Sequence, residues 1–134
     1  INKLKIFRSQ IDYGVFLPVQ YAAIAALTGP LDVVEEQRQE YEKRNQMLCG
    51  GLRSIGWNVP DSQGTMFVWA KIPRKYKSSV EFCLDLMEKT GVIVTPGNAF
   101  GSRGEGYVRM ALVVGEETIS ELLSVLEESN IFSK

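Results

Sequence analysis

The chain has 134 residues, 45% of them hydrophobic, and its 15 basic and 16 acidic side chains leave a net charge of −1. That length suits a single core, the balanced charge lacks the basic stripe that a nucleic-acid partner needs, and the apolar runs are too short to span a bilayer. Histidine is absent, which removes Ser-His-Asp and Cys-His nucleophile pairs and the usual zinc sites from these residues.

Leu4, Phe7 and Ile11 recur at helical spacing with Lys3, Lys5 and Arg8 between them. Asp12-Tyr13-Gly14 interrupts that helix, and Pro18 suits the first turn of a second one. Val19, Ala22, Ala23, Ala26 and Leu27 share a face of this second helix. So many alanines let another backbone come close, and Gly29-Pro30 ends the run. Leu31 to Ile55 reads as a long helix, charged through Glu35 to Arg44, with Val34, Tyr41, Leu48, Leu52 and Ile55 as its buried stripe. Gly50-Gly51 weakens it locally and Gly56 closes it.

Trp57 to Val59 reads as a short strand, Asp61 to Gly64 as a turn, and Thr65 to Ile72 as a second strand rich in aromatic and branched residues. Ser78-x-x-Glu81 is a capping box that opens a helix with Val80, Cys83, Leu84 and Met87 inward, and Gly91 stops it. Val92 to Thr95 reads as a short apolar strand, Pro96 to Gly106 as a loop, and Tyr107 to Val114 as a third main strand, of which Tyr107 to Leu112 reads as buried on both faces. Glu116 to Ser129 is a final helix with Ile119, Leu122, Leu123 and Leu126 on its buried face. Helices and strands mix without strict alternation, so the expected fold is α+β, a small helix-covered sheet.

Cys49 and Cys83 stand alone in helical patterns, without metal-ligand spacing, and fit a reduced cytoplasmic setting. The first residue is Ile1 and the chain opens inside an amphipathic pattern, so a piece of something longer is expected.

The strand Tyr107-Val108-Arg109-Met110-Ala111-Leu112 carries an arginine, a residue almost never buried without a partner. Tyr107, Arg109 and Ala111 point one way; Val108, Met110 and Leu112 point the other. On one reading Arg109 snorkels at a sheet edge or pairs with Glu105. On the other it waits for a ligand carboxylate, whose two oxygens match the guanidinium fork. Glycines at 97, 101, 104 and 106 would let the preceding loop fold closely around such a ligand. "GSRGEG" is no phosphate loop, because it lacks the lysine-plus-hydroxyl ending and opens no helix.

The stretch "PGNAFGSRGEGYVRMAL" followed by an amphipathic helix resembles the C-terminal region of the class I/II aminotransferases, pyridoxal-phosphate enzymes of fold type I. "IDYGVFLPVQYAAIAAL" resembles their interdomain segment and "GTMFVWAKIP" their small-domain strand. All 134 residues are covered in order, and the branch with LL-diaminopimelate, aspartate and alanine aminotransferases is the most similar. The resemblance implies an interdomain helical segment over 1–29 and a C-terminal small domain over 30–134. It implies that Arg109 grips the substrate's α-carboxylate, with the aromatic Phe67 beside it. It also places the segment of Tyr13 near the dimer interface and the neighbouring subunit's cofactor, which makes Tyr13 a further candidate. Asn98 and Phe100 belong to the loop before the arginine strand and take no specific role.

The family's lysine, which forms an imine with the cofactor, sits in a serine-lysine motif followed by an arginine and glycines. That motif does not occur here; Lys71, Lys89 and Lys134 lack its context and are expected in solvent. The resemblance therefore implies an enzyme that moves an amino group between amino-acid and 2-oxo-acid substrates when whole. Such an enzyme would be a homodimer with an N-terminal domain holding pyridoxal phosphate. The piece alone is expected to be inactive and to bind no cofactor. Two alternatives remain open: a C–S lyase of the same fold, and a non-catalytic domain that binds amino acids or other small carboxylates.

Overall fold

The computed structural model describes residues 1–11 and 14–132, and the chain divides into two units, Ile1–Glu36 and Gln37–Lys134. In the first unit, helix α1 spans Asn2–Ser9 and helix α2 spans Leu17–Thr28 with Pro18 in its first turn. Neither buries a residue: Phe7, Val19 and Leu27 all lie exposed.

Helix α3, Asp32–Ser54, begins at the end of the first unit with Asp32 and Glu35 in its opening turn, where carboxylates suit the helix dipole. Its burial starts at Asn45 and continues through Leu48, Cys49 and Leu52. The expected stripe therefore holds for Leu48 and Leu52, while Tyr41 and Ile55 are partly buried against the core. Val34 is a correction: it lies exposed in the first turn, more than two turns before α3 reaches any buried neighbour. Gly56, at φ +98°, closes the helix in the left-handed region that favours glycine.

The second unit is built on an antiparallel sheet in the order β1-β3-β2, from β1 (Phe67–Lys71), β2 (Thr95–Pro96) and β3 (Tyr107–Ala111). Thr95 pairs with Arg109, and Arg109 pairs on its other side with Trp69. One sheet face is the core side, with Val68, Ala70, Val108, Met110 and Leu112 buried. The other face, with Trp69, Arg109 and Ala111, is open or half-open, so β3 is not buried on both faces as its apolar run suggests. The expected strand at Trp57–Val59 does not form. Trp57 turns inward and its indole N–H donates to the Lys71 carbonyl at 2.8 Å, which anchors the segment without a ladder.

Helix α4, Ser79–Thr90, begins where the capping box places it: the Ser78 hydroxyl accepts from the Glu81 amide at 3.1 Å. Gly91, at φ +70°, ends it with its amide on the Met87 carbonyl. The inward face is the second correction. Ser79, Phe82 and Leu86 are buried, whereas Val80, Leu84 and Met87 are exposed and Cys83 is half-buried. Two apolar stripes overlap on this helix, and the aromatic one wins because Phe82 meets Trp57, Tyr76 and Phe132 edge-on. Helix α5, Glu116–Glu128, packs Ile119 and Leu126 fully and Leu122 and Leu123 partly. After it, Phe132 stacks on Trp57 with ring centroids 4.6 Å apart.

The expected loop Pro96–Gly106 is drawn tight by two single-turn 3₁₀ helices, Gly97–Phe100 and Ser102–Gly104. Its base is a backbone-on-backbone pinch: a Cβ on Gly104 would stand 2.0 Å from the Gly97 carbonyl oxygen. No flexible side chain is there to yield. Gly104→Ala is therefore expected to cost about 1–3 kcal/mol, read as a lower urea midpoint with an unchanged slope. Gly51→Ala meets only the tip of Leu123 and should cost less, because that side chain can rotate away.

Candidate functional site

Arg109 sits at the middle of the central strand with its side chain on the open face. The expected partner, Glu105, is taken elsewhere: its carboxylate accepts from the Ser79 amide at 2.6 Å and the Gly106 amide at 2.9 Å. Those two amides, Ser79 first, hold the Glu105 pKa below the ordinary glutamate range. Arg109 instead lies over two phenyl rings, with its central carbon 4.2 Å from the Phe67 centroid and 4.4 Å from that of Phe100. Such contacts attract the cation without using its N–H groups. Among the described residues the guanidinium makes no hydrogen bond or ion pair. A half-buried fork that keeps its donors is equipped to take a planar anion.

β1 supplies Phe67 and, directly across from Arg109, Trp69, which stacks on Tyr107 at 5.7 Å and meets Phe100 edge-on at 5.8 Å. Phe67 therefore stands beside the arginine. Phe100 also touches it, a contact without a sequence signal because it depends on the loop's path. Trp69 shares the alternation of Phe67 and Lys71 in "FVWAK", but only the register sets it against Arg109. Tyr13 lies outside the described residues. Asn98 is exposed in the loop.

An apolar cavity of about 290 Å³ borders Arg109 and is lined by Val94, Leu112, Ile119 and Leu122 among others. Its described lining contains no lysine and no carboxylate. Lys71 is exposed at the end of β1 and Lys89 pairs with Asp85 at 2.9 Å; Lys134 lies outside the described residues. The described residues that line this cavity do not fit pyridoxal phosphate, which needs an amine for its aldehyde and an acid for its ring nitrogen. A larger concavity of about 710 Å³ lies between α3 and the turn before β1, lined by Tyr41, Asn45, Asp61 and Thr65, and does not include Arg109. No single helix among the described residues is long and apolar enough to cross a membrane.

Fold and site together define a helix-covered α+β sheet domain whose central strand carries a half-buried arginine set against two phenyl rings. The family described as aminotransferase class I and II matches residues 1–126, and the chain belongs to it. The LL-diaminopimelate aminotransferase of Halothermothrix orenii is 48% identical over 131 residues, 98% of this chain and 33% of that protein. The enzyme of the same name from Moorella thermoacetica is 44% identical over 126 residues, 94% of this chain and 32% of its own. Among solved structures, an aminotransferase from Staphylococcus aureus superposes with a TM-score of 0.84 at 28% identity, covering 98% of this chain and 35% of that one. Substrate-bound BacF from Bacillus subtilis gives 0.83 at 32% identity, covering 93% and 32%. These neighbours are fold type I aminotransferases, and the chain spans about a third of the length of the curated relatives it matches.

Proposed function

We propose that this chain is the C-terminal small domain of an aminotransferase that moves an amino group between an amino acid and a 2-oxo acid. In this reading Arg109 grips the substrate's α-carboxylate. The observation that carries it is the state of Arg109: a half-buried guanidinium over the Phe67 and Phe100 rings, with no hydrogen-bonded acceptor among the described residues. Phe67 and Phe100 hold the fork from the side, so the N–H edges stay available to a carboxylate. Residues 1–29 form the interdomain segment and 30–134 the small domain. The rest of the enzyme, outside this chain, holds pyridoxal phosphate; the whole enzyme is a homodimer, and Tyr13 remains a further substrate-binding candidate by its place in the family's interdomain segment. The two free cysteines suit a cytoplasmic setting.

The test is amino-group transfer by the product of the whole reading frame, supplied with pyridoxal phosphate, an amino-acid donor such as LL-diaminopimelate and a 2-oxo-acid acceptor. A newly aminated acceptor together with the donor's 2-oxo acid is the expected result. Release of ammonia and pyruvate from a sulfur amino acid, without transfer, would overturn it in favour of a C–S lyase. The 134-residue chain alone is expected to transfer nothing. Robust transfer by that chain would overturn the division of labour between the two parts.

A further inference from the structure

The loop that brings Phe100 to the arginine ends where the Gly106 carbonyl accepts from the Ile72 amide at 3.0 Å, and two further anchors lie before that. One is the pinch at its base, where the backbones of Gly97 and Gly104 touch. The other follows at once: the Glu105 carboxylate crosses to α4 and accepts its first backbone amide, Ser79 N–H, at 2.6 Å. Among the described residues, the backbone bonds inside the loop are short-range: Gly101 N–H to Asn98, Gly104 N–H to Gly101 and Glu105 N–H to Ser102. Among the described residues, the Glu105 carboxylate is what ties this loop to α4 by a hydrogen bond. Helix starts leave amides unsatisfied and favour a negative charge, so α4 offers that carboxylate a fixed mount. Phe100, at the loop's outer end, lies 4.4 Å from the guanidinium carbon and meets Trp69 edge-on.

We propose that Glu105 is a positioning residue of the arginine receptor. By accepting the Ser79 amide it holds the 97–104 loop against α4 and so keeps Phe100 over the guanidinium of Arg109. The role of the glutamate is reversed from the one its sequence position suggests. It does not neutralise Arg109; it stays engaged on a neighbouring helix and leaves the arginine's donors open. The inference rests on the reading of Arg109 as a carboxylate receptor, and it adds what sets that receptor's geometry. Glu105 touches neither the arginine nor a ligand, so its effect travels through Phe100.

The test is proton and nitrogen NMR of the 134-residue chain. Ring currents from Phe67 and Phe100 displace the Arg109 side-chain signals upfield. In Glu105→Ala the Phe100 share of that displacement should disappear, as it does in Phe100→Leu. The double variant should add nothing further, since both changes act on one contact. Glu105→Gln, which keeps an acceptor oxygen for the Ser79 amide, should restore part of the displacement. A general loosening would instead move the Trp57 indole signal, which is expected to stay put in all of these variants. Unchanged Arg109 signals in Glu105→Ala would overturn the latch, and so would additive effects in the double variant. Acetate titration of wild type against Arg109→Lys tests the receptor itself. If acetate moves the arginine signals no more than chloride does while the Glu105 response persists, the receptor reading fails and the latch stands. If the arginine signals respond to acetate but not to Glu105→Ala, the latch fails and the receptor stands.

Discussion

Arg109→Ala in the whole enzyme is expected to lower kcat/KM for the amino-acid donor by the worth of a desolvated charged pair, about 2–5 kcal/mol. That is about 30- to 5,000-fold. The same loss should appear for the 2-oxo-acid acceptor, because both substrates present the same carboxylate. Binding of pyridoxal phosphate, followed by absorbance, should hardly change, since the described residues lining the cavity beside Arg109 do not suit that cofactor. Arg109→Lys keeps the charge but loses the planar fork, so it should recover only part of the activity. Removing the side chain should also be tolerated by the fold. Its described contacts are two phenyl rings, and no carboxylate is left buried and unpaired when it goes. Unchanged kinetics with both substrates would return Arg109 to the role of a half-buried structural cation.

Local chemistry made some of this legible in the sequence. Ser78 and Glu81 fix the start of α4 through bonds within four residues of chain, and Gly91 fixes its end by needing a left-handed φ. The alternation in "YVRMAL" correctly separates Arg109 from Val108 and Met110, because period two is a property of the strand itself. Other features depend on partners distant in sequence. Whether Glu105 meets Arg109 or Ser79 depends on where α4 begins relative to the loop, 26 residues away in sequence. Phe100 reaches the arginine through the path of a loop that Gly97 and Gly104 pinch at its base, and no periodicity encodes that contact. Val34 follows the helical stripe faithfully and is still exposed, because a stripe shows which face can bury and not where along a helix a partner waits.

The inward face of α4 is where composition misleads most, and a second substitution separates the two stripes. Phe82→Ala in the 134-residue chain is expected to cost about 3–5 kcal/mol, while Leu84→Ala, at a position 51% exposed, should stay within about 0.5 kcal/mol of neutral. Phe82 is fully buried and packs edge-on to Trp57 at 5.4 Å and Tyr76 at 5.0 Å, so its removal empties the middle of an aromatic cluster. Urea unfolding followed by tryptophan fluorescence would measure both, with Trp57 reporting from within the cluster. Comparable losses at the two positions would mean that α4 is turned toward the core as its other apolar stripe suggests. The rotation also bears on the site. Phe82 lies three residues beyond Ser79 and Leu86 seven beyond it, so all three share one face of α4. Seating Phe82 among the rings thus directs the first turn of the helix, and with it the Ser79 amide, toward Glu105. A chain that turned Leu84 inward would carry that amide away from the carboxylate and leave the loop of Phe100 without its mount.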